Sequence, residues 1–92
     1  MSKDVERMER IRRVLEARIG IERRRRKGRI EDAVNWADLR VVDVEYVQTL
    51  GGEEYYCALI EEASPSARAF HEAMLDQLRR NDLGDVQVRT EW

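Results

Sequence analysis

The densest run of functional groups in this chain is basic. Arg23-Arg24-Arg25-Arg26-Lys27 is followed by Gly28 and Arg29. Guanidinium groups donate paired hydrogen bonds to phosphates and carboxylates, so such a run predicts contact with a polyanion. Along a nucleic acid the contact would be salt-sensitive and independent of base sequence. The alternative is a solvated helix end that is neutralised by acids of the same protein or of a neighbour.

Side chains that commonly carry catalysis are few and poorly spaced. His71-Glu72 begins the zinc-protease pattern, but Leu75 stands where the second histidine is needed, and the chain has one histidine. His71 is therefore interpreted as a residue at the edge of the core. Glu53-Glu54 and Glu61-Glu62 are strand neighbours that point to opposite faces, so they cannot act as acid–base pairs. The sequence predicts no enzyme, no metal site and no cofactor.

Cys57 is the single cysteine of the chain. It excludes an internal disulfide and favours a reducing, cytoplasmic location. A Cys57–His71 dyad would lack a third orienting group, so a buried thiol is the simpler interpretation. Gly51-Gly52 lacks the following helix that a phosphate-binding loop needs.

Charge divides the chain into two parts. Residues 1–29 carry a net charge of +7 and residues 30–92 a net charge of −9, which gives the formal total of −2. This asymmetry concerns partners more than fold. We predict a single domain with a basic amphipathic helix or arm over 1–29 and an acidic α/β body over 30–92.

Apolar spacing predicts a first helix. The buried stripe recurs at intervals of three and four residues, with charged residues largely off it. Its members are Val5, Met8, Ile11, Leu15 and Ile19. Gly20 weakens the helix at a cost of about 1 kcal/mol. The stripe has no Trp or Phe, so we expect no membrane binding. Residues 30–38 are ambiguous and allow a short helix.

A hairpin follows the ambiguous segment. Leu39 to Thr49 and Glu54 to Glu62 are rich in β-formers and flank Gly51-Gly52, a pair typical of a two-residue turn. That turn would place Tyr46 opposite Cys57, with both side chains on the covered side of the sheet.

A helix over 65–80 and a strand over 85–92 complete an α+β fold of order α-β-β-α-β. The helix stripe is Ala67, Phe70, Met74 and Leu78. A right-handed crossover predicts a three-stranded antiparallel or mixed sheet of order 2-1-3, with both helices on one face. In that order the helix over 65–80 covers Val42, Val44 and Tyr46, and Arg89 comes near Asp43 or Glu45.

The uncovered side of the sheet is a second candidate interface. In the predicted register it exposes apolar residues among acids, which suggests a protein partner or a second copy; the alternative is that the first helix packs there. The residues are Val41, Asp43, Glu45, Val47, Tyr56 and Ile60.

Part of the chain resembles a known group. The element order, the Ser64-Pro65 helix start, the final strand Asp85-Val86-Gln87-Val88 and the terminal Trp92 make residues 39–92 similar to iron–sulfur cluster assembly domains, which include the PaaD-like proteins and the C-terminal domain of NifU. The resemblance implies a functional cysteine between the second strand and the second helix. Residues 62–67 contain none, and the Asp-Pro-Glu signature is missing, so it implies an adaptor without metal. Nucleic-acid binders of the KH type share the element order, but their GxxG loop is absent.

The leading hypothesis is a small cytoplasmic accessory or assembly factor that binds nucleic acid through its first helix. The alternative is a scaffold protein whose basic helix docks on the acidic sheet of another copy or of a larger complex. The residues expected to contact nucleic acid or an acidic protein surface are Arg12, Arg13, Arg18, Arg23, Arg24, Arg25, Arg26, Lys27 and Arg29.

Overall fold

Two helices and a three-stranded mixed sheet build the body of the molecule, which confirms the α+β prediction. The computed structural model describes residues 5–26, 30–31, 34–36, 38–61 and 68–91. In chain order the elements are α1 Val5–Arg26, β1 Ile30–Glu31, β2 Val34–Asn35, β3 Arg40–Gln48, β4 Glu54–Glu61, α2 Arg68–Arg80 and β5 Gln87–Glu91.

Helix α1 buries the predicted stripe except at its start, where Val5 is 55% exposed. Ile11, Leu15 and Ile19 are buried, and Met8 packs against the same core. Gly20 lies inside the helix without ending it, although glycine has a weak helix propensity. The helix therefore packs on the sheet along its length instead of projecting from it.

The described residues of 30–38, which are 30–31, 34–36 and 38, do not form the short helix that the sequence allowed. Strands β1 and β2 pair antiparallel, with Ile30 opposite Asn35 and Glu31 opposite Val34. After this small hairpin, Trp36 and Leu39 are buried in the core. Burial of these two side chains is a tertiary effect that the local spacing of apolar residues does not encode.

The β3–β4 hairpin exists, but its predicted turn and register are wrong. Tyr46 is opposite Tyr56 instead of Cys57. The Thr49 amide donates to the Glu53 carbonyl at 2.9 Å, and the Gly52 amide donates to the Thr49 carbonyl at 3.1 Å. The loop between Thr49 and Glu53 therefore has three residues. Gly52 has a φ of 89°, a left-handed conformation that follows a type I turn in three-residue hairpin loops.

A β-bulge lies between Val41 and Asp43. Val41 is opposite Ile60, whereas Asp43 is opposite Leu59, so Val42 is the extra residue. The Asp43 carboxylate accepts a hydrogen bond from the Val44 amide at 2.9 Å. The bulge turns Val41 into the core and leaves Val42 42% exposed, because the face of each residue changes across the extra position.

The predicted strand order 2-1-3 is wrong. Counting the same three strands, the order is 1-2-3: β3 pairs antiparallel with β4, and β5 pairs parallel with β4. Helix α1 packs on β3, while α2 packs beside α1 and against β5. Since α1 occupies the space over β3, α2 lies beside it on the same face, over the part of the sheet next to β5, and the chain returns beside β4.

Helix α2 buries Phe70, Met74 and Leu78, as its stripe predicts, whereas residues 62–67, including the expected Ser64 cap, lie outside the described residues. Its C-terminus is a Schellman motif. The Leu83 amide donates to the Leu78 carbonyl at 2.8 Å, and the Asp82 amide donates to the Arg79 carbonyl at 3.3 Å. Asp82 has a φ of 60°, the left-handed conformation this motif requires.

Candidate functional site

Arginines in the first half of α1 bond to residues that follow the C-terminus of α2. Arg7 lies 3.0 Å from the Asp85 carboxylate. Arg10 donates to the Asn81 carbonyl at 2.7 Å. Arg18, further along α1, donates to Asp76. The residue number of the partner therefore decreases from 85 to 76 as the residue number along α1 increases from 7 to 18, so the two helices run antiparallel.

Arg12 holds the bulge of β3. Its two terminal nitrogens donate to the carbonyls of Val41 at 3.0 Å and Val42 at 3.4 Å. The same guanidinium lies 4.0 Å from Asp43 and 3.9 Å from Glu16. The carbonyls of an edge strand have no strand partner on their free side. Arg12 supplies those donors, which fixes α1 to the sheet.

Arg18 and Arg25 converge on a buried carboxylate. Glu22 is 1% exposed and accepts from Arg18 Nε at 2.9 Å and from Arg25 Nη1 at 3.5 Å. Arg18 also donates to Asp76 at 3.3 Å and to Gln77 at 3.4 Å. A buried carboxylate needs such partners to offset its loss of hydration. Arg18 is therefore an internal ion-pair partner.

Arg23 joins the last turns of α1 to the segment before β3. Its Nε donates to the Trp36 carbonyl at 2.9 Å, and its Nη2 donates to the Leu39 carbonyl. The first residue of the basic run therefore has an internal structural role. Between α1 and β3 a recess of about 160 Å³ is lined by Glu16, Ile19, Arg23, Leu39 and Arg40. It is smaller than common small-molecule sites of about 300 Å³ or more.

Other arginines of α1 point to solvent. Arg13 and Arg24 are exposed, and neither forms an ion pair with a described residue. The Arg25 side chain is 67% exposed beyond its contact with Glu22. Arg13 and Arg24 are eleven residues apart, about three helical turns, so they share one face of α1. The side chains of Arg26, Lys27 and Arg29 lie outside the described residues.

The second half of α1 has no exposed acid. Between Ala17 and Arg26 the sequence contains one acid, Glu22, and it is buried. In the first half Glu6, Glu9 and Glu16 are exposed among the arginines. The outer surface of α1 is therefore mixed in charge at its start and cationic towards its end. Cations at a helix C-terminus also interact favourably with the helix dipole.

The structure corrects the predicted uncovered side of the sheet. Val41 and Ile60 are buried in the core, and Tyr56 packs against it. The bulge moves Val41, and the one-residue register shift moves Tyr56 and Ile60, because such a slip exchanges the faces of a strand.

The side of the sheet opposite the helices is called the open face here. The pairing and the alternation of side chains place ten described residues on it, of which Asp43, Glu45 and Val47 were predicted. They are Arg40, Asp43, Glu45 and Val47 on β3; Tyr55, Cys57, Leu59 and Glu61 on β4; and Gln87 and Arg89 on β5. Two rows cross it, Asp43–Leu59–Arg89 and Glu45–Cys57–Gln87. Arg89 is separated from Asp43 by Leu59, so the predicted side-by-side pairing of β3 and β5 does not occur.

Cys57 was expected to face the core and instead belongs to the open face. It is fully buried by its neighbours. Burial raises the pKa of the Cys57 thiol; Arg89 partly opposes this effect, and Glu45 adds to it. A thiol with a raised pKa is mostly protonated at neutral pH and is a weak nucleophile. Cys57 therefore lacks the activation that a catalytic cysteine needs.

His71 lies at the edge of the core, as the sequence predicts. Its Nε2 is 2.8 Å from Thr90 Oγ1, and its ring lies beside Phe70. Desolvation by burial lowers the pKa of His71. Thr90 pairs with Ile60 on the helix-covered side, so His71 and Cys57 are on opposite sides of the sheet. Within the described residues, no group of three or more His, Cys, Asp or Glu side chains could hold a metal ion.

Comparison with known proteins gives no neighbour. The chain matches no protein-family model, no curated protein and no solved structure. The similarity to iron–sulfur assembly domains therefore stays a prediction. Neither described helix has the length and apolar character needed to cross a membrane. The candidate site of this chain consists of two surfaces, the cationic second half of α1 and the open face of the sheet.

Proposed function

We propose that this chain is a small, non-catalytic cytoplasmic binding factor that contacts the phosphate backbone of nucleic acid through the second half of α1. The observation that supports the proposal is the absence of exposed acid between Ala17 and Arg26, where the single carboxylate, Glu22, is buried. A cationic surface of this kind releases counterions from phosphates when it binds.

The arginines of α1 divide into two groups. Arg12 and Arg23 bond α1 to β3 and to the segment before it, and Arg18 bonds to Glu22 and to Asp76 of α2. Arg13, Arg24 and Arg25 are exposed and are the proposed phosphate contacts. Arg26, Lys27 and Arg29 continue the cationic stretch in sequence. We infer that the first group is needed for the fold and the second for binding, and that Arg25 contributes to both because it also lies 3.5 Å from the buried Glu22. Circular dichroism and urea unfolding therefore accompany any variant that removes Arg25.

Fluorescence anisotropy with a labelled duplex DNA and a labelled single-stranded RNA, across a salt series, tests the proposal. The variant is Arg24→Ala with Arg25→Ala. The matched control is Arg79→Ala with Arg80→Ala, which removes the same charge from the end of α2, beside the N-terminal half of α1. We expect the variant to reduce the log–log salt slope by about 1.4 to 1.8, and the control to reduce it little.

Two results would contradict the proposal. One is that neither probe binds at low salt. The other is that the control pair weakens binding as much as the variant pair, because net charge alone would then explain the affinity. Loss of nucleic-acid binding together with salt-sensitive self-association that depends on Arg24 would favour the scaffold alternative.

A further inference from the structure

The open face has charged side chains on all three strands. Arg40, Asp43 and Glu45 lie on β3, Glu61 lies on β4, and Arg89 lies on β5. Arg40 and Glu61 bond to each other, whereas Asp43, Glu45 and Arg89 are exposed. Among the described residues, Arg89 has no ion-pair partner, since Leu59 of the central strand separates it from Asp43. In the row Asp43–Leu59–Arg89, an acid and a base therefore lie at opposite edges of the face.

Half-buried apolar side chains occupy the middle of this face. Leu59 and Tyr55 project from β4, and Val47 lies opposite Tyr55 on β3. Charged side chains at the two edges of an apolar strip resemble the rim and core of a protein interface. Within the described residues, neither helix packs on this side.

We propose that this face is the interface of a two-fold symmetric dimer of the chain, with the axis running along β4. Rotation about that axis exchanges the outer strands, so β3 of one copy lies over β5 of its mate. Because the axis is parallel to the strands, the rotation does not change the position of the row Asp43–Leu59–Arg89 along the strand direction. Each Asp43, which lies 4.0 Å from Arg12 of its own chain, then also faces Arg89 of the mate, and the two copies of Leu59 meet at the axis. The two copies of Glu61 also come to the axis, each bonded to Arg40 of its own chain.

Sheet geometry permits this contact. Sheets stack about 10 Å apart with strands aligned to within about 30°. Asp43 and Arg89 side chains together span that separation. The two copies of Cys57 also face each other at the axis, but about 10 Å between backbones is too far for a disulfide. The dimer is therefore non-covalent.

The size of the face determines the expected affinity. Three strands, about 4.8 Å apart, bury less than the roughly 800 Å² per partner of a standard interface. We expect a dimer that dissociates reversibly on dilution and weakens with salt. This proposal does not depend on nucleic-acid binding, because α1 lies on the other side of the sheet.

Sedimentation velocity over a concentration series tests the proposal on the full chain. Arg89→Glu places two like-charged pairs in the dimer, and we expect the dissociation constant to rise at least about tenfold. Adding Asp43→Arg to the same chain exchanges the two charges and should restore most of the affinity. Arg79→Glu, the same charge change at the end of α2, should leave dimerisation unchanged.

Several outcomes would overturn the proposal. These are a monomer at every concentration, a dimer insensitive to Arg89→Glu, and equal weakening by Arg79→Glu. Dissociation by Arg24→Ala would also overturn it, because a basic helix would then be docking on the sheet. Circular dichroism of each variant establishes that it is folded, and the comparison of Arg89→Glu with Arg79→Glu provides the test if Asp43→Arg disturbs the bulge.

Discussion

The guanidinium of Arg23 donates a hydrogen bond to the backbone carbonyl of Trp36 at 2.9 Å, and this contact joins the last turns of α1 to the chain that enters β3. The neighbouring Arg24 is exposed and has no ion pair among the described residues. Two adjacent arginines thus differ in their contacts: Arg23 bonds to the backbone of the same protein, whereas Arg24 does not within the described residues.

We predict that Arg23→Ala lowers the free energy of unfolding by about 1–2 kcal/mol, because two carbonyls lose a charged donor. Arg24→Ala should change it by less than about 0.5 kcal/mol. Urea denaturation of both variants measures the difference. Equal stability of the two variants would show that the Arg23 contacts do not contribute.

The buried carboxylate of α1 provides a second comparison. Glu22→Gln removes the negative charge that pairs with Arg18 and Arg25 and should cost about 2–3 kcal/mol of unfolding free energy. Glu16→Gln, the same change at an exposed partner 3.9 Å from Arg12, should cost less than about 0.5 kcal/mol. Thermal and urea unfolding measure both variants, and a cost at Glu22 no larger than at Glu16 would contradict the prediction.

His71 makes stability depend on pH. Its pKa is lowered in the folded protein by burial, so the unfolded chain takes up a proton first as the pH falls. The contribution of neutral His71 is complete above the unfolded pKa of about 6.5 and is lost as the pH falls below it. We expect the unfolding free energy to decrease from pH 7 to pH 5.5, and His71→Gln to flatten this slope. Parallel slopes in the two proteins would reject the assignment.

Asp82 has a left-handed backbone that glycine adopts without steric cost. We predict that Asp82→Gly raises the free energy of unfolding by about 0.5–1 kcal/mol, because the Schellman motif at the end of α2 requires positive φ. Gly52→Ala is the reverse test, since Gly52 has a φ of 89°, and it should destabilise by about 1 kcal/mol. Chemical denaturation gives both signs, and a loss of stability in Asp82→Gly would contradict the argument.

Elements defined by apolar spacing were predictable from the sequence. The stripe of Ile11, Leu15 and Ile19 in α1 and that of Phe70, Met74 and Leu78 in α2 are buried as expected. Helical periodicity reports directly which face meets the core, because one face of a helix returns every 3.6 residues.

Register was not predictable in the same way. Gly51-Gly52 indicates a hairpin, but the pair fits both a two-residue type I′ loop, in which both residues have positive φ, and a three-residue loop, in which the last residue has positive φ. The bulge at Val42 carries no glycine or proline signal, and it reverses the assignment of Val41. A one-residue error of this kind placed Tyr56 and Ile60 on the open face.

Which arginines bond within the protein and which stay exposed could not be predicted from the sequence. Arg12 and Arg23 donate to backbone carbonyls. Because every residue has a carbonyl, no pattern of side chains in the sequence predicts these contacts. The open-face role of Arg89 depends on β5 pairing with β4 in parallel. That pairing follows from how α1 and α2 share the covered side of the sheet.

The parallel pairing of β5 also determines the order in which the sheet can assemble. Strands β3 and β4 are joined by a three-residue loop, so their pairing requires little loss of chain entropy. Strand β5 reaches β4 only after the crossover that contains α2 has closed, and such non-local pairing is slow. The Asp43–Leu59–Arg89 row is thus completed when β5 pairs with β4. A chain that has formed only the β3–β4 hairpin does not yet have Arg89 on the open face.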